Sequence, residues 1–259
     1  MELNAAPATA DDLAPLGLVG FGHFTSMHVR NGSVRGLELH LDRLARDCRT
    51  VFDALLDPDR IRDAVRHAIR DVDVDVVVRV TVYDRKLTLA RPGDPAHPEL
   101  LITMREAPST PQPPLRLQSV VYSRDVPKVK HLGLFGAEYQ RALAQRAGFD
   151  DVLFTDRDGS VSEIATSNIA FITDEGQLVW PRAEVLAGTT MRLINQVRDE
   201  EVLTERITNP GLERYVGAVA TNAATGVRTV ASVDDVRWPE HELVATLRKQ
   251  YESIPPQRI

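Results

Sequence analysis

Cysteine is almost missing from this sequence: Cys48 is the single thiol in 259 residues. One thiol cannot close an intramolecular disulfide and supplies neither a zinc cluster nor a CxxC redox pair, so no metal is expected and a reducing, cytoplasmic compartment fits. Cys48 falls in the register of an amphipathic helix and reads as a core residue rather than a nucleophile. Long apolar runs are missing too. No stretch approaches the roughly 20 residues that span a bilayer, and Met1 to Asp12 is acidic rather than basic-then-apolar, so neither a membrane span nor a secretory signal is expected. Excess positive charge is absent as well. A formal net charge of −6 argues against a nucleic-acid partner and for a small-molecule ligand. A local anion site stays open, because Lys and Arg total 31 and nearly all are Arg.

With 43% hydrophobic and 26% charged residues, the chain has the composition of a soluble globular protein, long enough for two modest cores. Phe21 to Val29 reads as a strand, and Asn31-Gly32 supplies a hairpin turn into Val34 to Leu37. His40 to Leu56 switches to a helical period, with Leu41, Leu44, Cys48, Val51, Phe52 and Leu55 on one stripe, and Asp57-Pro58 breaks it. A helix over Pro58 to Ile69 and strands over Val74 to Tyr83 and Leu100 to Arg105 complete a small α+β lobe, placed at 1–106. The run Ala107-Pro108-Ser109-Thr110-Pro111-Gln112-Pro113-Pro114 reads as an interdomain linker over 107–114, because proline removes amide donors and favours extended backbone. A larger lobe follows over 115–259. Its strands are expected at Leu115 to Tyr122, Asp151 to Thr155, Ser160 to Glu163, Asn168 to Ile172, Leu178 to Trp180 and Gly217 to Ala220. Its helices are expected at Phe135 to Ala147, Thr189 to Val197 and Glu240 to Tyr251.

Lysine is the scarce chemistry-bearing residue, present only at 86, 128, 130 and 249. Lys86 in a turn and Lys249 on a terminal helix read as solvated. Lys128 and Lys130 flank Val129, so in an extended segment they share one face and at most one need enter a pocket. A nucleophilic lysine must shed its proton, which burial favours. Lys130, ahead of Leu132-Gly133-Leu134-Phe135, is the better placed for desolvation. On spacing alone it stays open between a reactive amine and a surface cation.

Four segments occur in order around it: His40-Leu41-Asp42-Arg43-Leu44, the Lys130 segment, Asp158-Gly159-Ser160-Val161-Ser162-Glu163-Ile164-Ala165-Thr166-Ser167-Asn168-Ile169, and Leu186-Ala187-Gly188-Thr189-Thr190-Met191-Arg192. Together, from about Phe21 to Val230, they resemble the class IV aminotransferases, the group of branched-chain and D-amino-acid aminotransferases and aminodeoxychorismate lyase. The resemblance implies a two-lobed, α+β fold-type IV enzyme whose larger lobe has a barrel-like β core flanked by helices and binds pyridoxal 5′-phosphate (PLP). It implies a homodimer, an amino donor and a 2-oxo acid acceptor as substrates.

The resemblance also implies roles. Lys130 would hold the cofactor as a Schiff base and shuttle the substrate proton. Glu163 would pair with the pyridine nitrogen. Arg43 would bind the phosphate, since a guanidinium fork bonds two oxygens at once. Gly188, Thr189 and Thr190 at a helix start would offer it amides and hydroxyls, Asn222 or Ala223 a further amide, and Leu186 would pack behind the ring. Departures accompany the match. Phe135 stands where many relatives carry a tyrosine, Phe24-Thr25 replaces an aromatic-Glu pair, and Thr221-Asn222-Ala223-Ala224 is nearer the lyase pattern. His23, Phe24, Thr25 and His131 are candidates for the substrate pocket, and Arg79, Arg85 or Arg91 for clamping a substrate carboxylate. A transaminase is the first reading. An aminodeoxychorismate-lyase-like enzyme and a non-catalytic binder of PLP or another phosphorylated ligand are the alternatives.

Overall fold

The first twenty residues form structure that the sequence pattern does not announce. Two short strands, β1 (Glu2–Leu3) and β2 (Ala6–Pro7), precede helix α1 (Ala10–Leu18). Thr9 and Asp12 start this helix as a reciprocal capping box: the Asp12 N–H donates to Thr9 Oγ1, and the Thr9 N–H donates to Asp12 Oδ2 at 2.8 Å. Pro15 and Gly17 inside it blur the helical pattern. The computed structural model describes residues 1–109 and 111–259. Thr110, part of the expected 107–114 linker, lies outside the described residues.

The chain divides into two compact units that are not continuous in sequence: one holds Met1–Ala107, Val129–Gly133 and Pro256–Ile259, the other Pro108–Lys128 and Leu134–Pro255. In the first, β3 (Gly22–Arg30) turns through Asn31-Gly32, both at positive φ, into β4 (Ser33–Val34). That strand stops before the expected Leu37 because Gly36, in the left-handed region, opens helix α2 (Leu37–Phe52). One face of α2 buries Leu37, Leu41, Leu44, Cys48 and Phe52 in the unit's main core. The helix does not run to Leu56 as expected. Asp53 turns left-handed at φ 50 and ends it, which leaves Leu55 80% exposed rather than on the buried stripe. Asp57, read as a breaker, instead caps α3 (Pro58–Ala68) by accepting the Asp59 N–H at 2.9 Å. Strands β5 (Val76–Tyr83) and β6 (Glu99–Glu106) complete a seven-stranded sheet, ordered C-terminal strand Gln257–Arg258, β4, β3, β5, β6, β1, β2. All its pairings are antiparallel.

The second unit contains β7 (Leu115–Val121), α4 (Phe135–Arg146), β8 (Asp151–Thr155), β9 (Val161–Ile164), β10 (Asn168–Ile172), β11 (Leu178–Pro181), α5 (Thr189–Val197), β12 (Val202–Glu205), β13 (Gly217–Asn222), β14 (Gly226–Val233), β15 (Val236–Arg237) and α6 (Glu242–Ser253). Its mixed sheet runs β12, β11, β10, β13, β14, β7, β8, β9, with β15 beside β14. The two ends of that order come back together. The Val161 N–H donates to the Ile207 carbonyl at 2.8 Å, and Ser160 bridges Thr208, so the sheet curls into a barrel-like core. Strand β14 has no counterpart in the sequence reading. It is buried on both faces, which removes the polar alternation that marks a strand.

The revised end of α2 gives a paired prediction. Leu44→Ala, at a fully buried position, should cost about 2–5 kcal/mol in urea unfolding. Leu55→Ala should stay within about 0.5 kcal/mol. Equal losses at the two positions contradict the helix end described.

Candidate active site

On α2, the positions that do not face the aliphatic core carry a second, polar stripe. His40, Arg43 and Asp47 recur three and four residues apart, share one side of the helix, and are all buried. Thr25 of β3 meets this stripe, with its Oγ1 2.7 Å from His40 Nδ1. Burial first, and then the charges of Arg43 and Lys130, hold His40 well below the usual histidine range, so it is a neutral partner for the threonine.

Lys130 enters the same neighbourhood by strand pairing. Residues 130–132 lie along the free edge of β3: the Phe24 N–H donates to the Lys130 carbonyl at 2.8 Å, the Leu132 N–H to the Gly22 carbonyl at 2.9 Å, and His23 bridges His131. Gly22 is required there, because a Cβ would press on the Val82 carbonyl and the Leu132 side chain. The Lys130 N–H donates to Asp47 Oδ2 at 3.0 Å. Its Nζ stands 4.8 Å from the centre of the Phe24 ring, and the Arg79 guanidinium lies 3.6 Å from the same ring. Lys130 is half-buried, whereas Lys86, Lys128 and Lys249 are exposed, Lys128 in a surface ion pair with Glu184. His23 is fully buried, and neither of its ring nitrogens has a hydrogen-bond partner. Burial drives its pKa down to about 4 against the opposing charge of Asp47. Cys48 is a core thiol, pushed up to about 11 by burial.

In the second unit, Glu163 on β9 is buried and held from two sides. Arg124 Nε donates to its Oε1 at 2.8 Å, and the Leu186 N–H donates to its Oε2 at 3.3 Å. Arg124, almost as buried, also donates to the Pro127 carbonyl at 2.6 Å. Asn168 Nδ2 donates to the Leu186 carbonyl at 2.8 Å, so both peptide groups of Leu186 are gripped by residues of one motif. The turn then passes Gly188, where a Cβ would collide with Asn168 Oδ1, and opens α5 at Thr189. The Thr189 and Thr190 hydroxyls are buried without a partner. So is the hydroxyl of Thr221, which lies directly across the strand pair from Asn168. Buried hydroxyls without a partner can donate to a ligand oxygen, and two of these three stand in the first turn of α5. Asn222 is occupied otherwise: its amide donates to Ser167 Oγ, and its Oδ1 accepts from the Ala224 and Thr225 N–H groups, which shapes the turn containing Ala223.

The expected residues thus fall into two groups, His23, Phe24, Thr25, Arg43, Lys130 and His131 in the first unit and Glu163, Leu186, Thr189, Thr190, Asn222 and Ala223 in the second. Of the three candidate carboxylate clamps, Arg85 is committed to Glu99 and Asp12, and Arg91 to Asp94 on the surface, which leaves Arg79. Phe135 is 83% exposed and stacks on Tyr139. Sequence reasoning gave no role to His40 and Thr221, although both stand in the quoted segments, and it missed Asp47 and Arg124, which carry no local signal of their own. Among the described residues, no group of three or more His, Cys, Asp or Glu could hold a metal ion, and no helix is long and apolar enough to cross a membrane.

The amino-transferase class IV family model matches residues 22–233, and the chain belongs to that family. Class IV aminotransferases use PLP. The chain is 24% identical over 249 residues to a "Probable branched-chain-amino-acid aminotransferase" of Rickettsia felis, covering 89% of this chain and 85% of that one. Its fold-type IV architecture matches a branched-chain aminotransferase structure from Thermoproteus uzoniensis with a TM-score of 0.86, at 19% identity over 97% of this chain and 92% of that one. A 4-amino-4-deoxychorismate lyase from Pseudomonas aeruginosa matches with a TM-score of 0.82, at 25% identity over 96% and 97% of the two chains.

The buried neutral His23 sets a pH dependence of stability. Its folded pKa, about 4, lies below the ordinary 6.5, so between these values the unfolded chain binds the proton and the folded chain does not. The contribution is complete above pH ~6.5 and is lost as pH falls toward ~4, by up to about 3 kcal/mol. His23→Leu should flatten urea-derived stability across that window relative to wild type. Parallel profiles would exclude a buried neutral imidazole.

Proposed function

We propose that the chain transfers an amino group between an amino acid or amine and a 2-oxo acid, with Lys130 as the amine that attaches PLP. One observation carries this assignment: of the four lysines, Lys130 alone is withdrawn from solvent, and both its main-chain groups are hydrogen-bonded within the motif cluster. When bound, PLP supplies an electron-withdrawing ring that stabilises negative charge on the carbon beside the reacting nitrogen.

The chain's own residues do the rest. Lys130 would hold PLP through its Nζ, and the same amine would move the proton at the substrate carbon. The Glu163 carboxylate, oriented by Arg124 and the Leu186 N–H, would pair with the cofactor's ring nitrogen and favour its protonated state. The unpartnered Thr189, Thr190 and Thr221 hydroxyls fit a phosphate, as does the Arg43 guanidinium, and a fully desolvated hydroxyl gains most from an anionic acceptor. Phe24 and Arg79, stacked together near the Lys130 Nζ, line the substrate side, with Arg79 as the cation for a substrate carboxylate. The chain works as a homodimer in this reading, supported by the exposed stripe Phe135, Tyr139 and Leu143 on α4. The lyase alternative rests on the Thr221-Asn222-Ala223 pattern and on the likeness to the Pseudomonas aeruginosa 4-amino-4-deoxychorismate lyase.

The test is borohydride reduction of the holoenzyme followed by peptide mapping, together with a screen of both enantiomers of amino donors against 2-oxo acids. Label on Lys130, loss of label in Lys130→Ala, and a cofactor spectrum that cycles with donor and acceptor are expected. Label on another lysine, or pyruvate release from aminodeoxychorismate without amine transfer, would overturn the proposal. Glu163→Gln should lower kcat by about 10²-fold or more while leaving the label on Lys130. A sedimentation mass of one chain would remove the dimer.

A further inference from the structure

The polar stripe of α2 ends in a carboxylate to which no role has been given. Asp47 is fully buried, and both its oxygens are occupied. Oδ1 accepts from Arg46 Nε at 2.9 Å and Nη2 at 2.6 Å, and Oδ2 accepts the backbone N–H of Lys130 at 3.0 Å, across 83 residues of sequence. A buried carboxylate is a costly way to satisfy one amide, which a neutral oxygen could serve. Its charge makes the bond to Lys130 stronger and more directional than a neutral acceptor would. The Arg46 fork fixes the rotation of the carboxylate, so Oδ2 has a defined position. The charge of Asp47 also reaches the buried His23, whose chain neighbour Phe24 receives the Lys130 Nζ over its ring.

The spacing along α2 gives this arrangement its meaning. Arg43 precedes Asp47 by four residues, about one helical turn or ~6 Å, on the same face of the same helix. We propose that Asp47 is a positioning residue for Lys130: it ties the lysine's backbone to α2 one turn beyond Arg43, so that one rigid element fixes both the reactive amine and the phosphate-side cation. This rests on the reading of Lys130 as the attachment amine. The β3 edge alone holds only the carbonyl side of Lys130, through Phe24, and a strand edge can slide or fray. The Asp47 contact holds the amide side, and the two bonds together determine the direction in which the Lys130 side chain leaves the backbone.

The test compares the rate at which PLP attaches to apoprotein in wild type, Asp47→Ala and Asp47→Asn, followed by absorbance and by borohydride-trapped mass at Lys130, well below each variant's Tm. Asp47→Ala should attach PLP about 10- to 100-fold more slowly and shift the pH at which the bound cofactor's absorption changes. Asp47→Asn, which keeps one side-chain oxygen but loses the charge and one acceptor, should fall between Asp47→Ala and wild type. Wild-type rate and pH profile in Asp47→Ala, whatever its Tm, overturn the proposal. Should that variant fail to fold, Arg46→Met removes only the half-exposed outer clamp and carries the test: slower attachment supports the role, and a wild-type rate overturns it. If wild type itself carries no label on Lys130, the assignment of that lysine fails. If wild type is labelled and attachment is indifferent to Asp47, only the positioning role fails.

Discussion

The seating of residues 130–132 on the free edge of β3 is the constraint on which the first unit's chemistry depends. Two main-chain hydrogen bonds, which together make the His23–His131 bridge, fix the register, and register in a strand pair decides which side chain goes to which face. A slip by one residue that paired His131 with Phe24 would move Lys130 opposite Thr25 and exchange the faces of both side chains. Gly22 is the only residue type that allows this seating, because a side chain there would meet the neighbouring strand's backbone and Leu132 at once. The lone withdrawn lysine therefore owes its placement to a glycine and a strand edge at least as much as to its own surroundings.

Much of the fold can be read from the residues because its signals are local. Strands β8 and β10 and helix α5 fall on the expected residues, since each couples a short apolar run to an unambiguous turn or cap. The elements that escape are those whose determinants are not periodic. Helix α1 contains Pro15 and Gly17, and β14 is buried on both faces. The end of α2 depends on one left-handed residue, Asp53, which no apolar stripe can announce. The non-sequential grouping of Val129–Gly133 with the first unit is equally invisible to a reading that divides the chain at a proline-rich run.

The candidate site shows the same division. Residues inside ordered motifs, such as Arg43, Glu163, Thr189 and Thr190, can be picked out by resemblance. The groups that orient them cannot. Asp47 meets Lys130 across 83 residues and Arg124 meets Glu163 across 39, so neither has a local partner that would mark it. An arginine after a serine in a loop, or an aspartate beside an arginine on a helix, is ordinarily solvated; only the tertiary fold withdraws both from water.

Arg124 also bears on what Glu163 can do. The guanidinium at 2.8 Å holds one carboxylate oxygen and the Leu186 N–H the other, so the orientation of the group is fixed from two sides. The same cation withdraws part of the negative charge that Glu163 offers outward, so the pair supplies a firmly placed but moderated carboxylate. Because Asn168 holds the other peptide group of Leu186, the turn that leads to Gly188, Thr189 and Thr190 is anchored to Glu163 itself. The orientation of the acid and the presentation of the buried Thr189 and Thr190 hydroxyls are thus set by one hydrogen-bonded frame. A change at Glu163 that breaks the bond to Leu186 would disturb both, whereas Glu163→Gln keeps an oxygen available for that N–H and isolates the loss of charge.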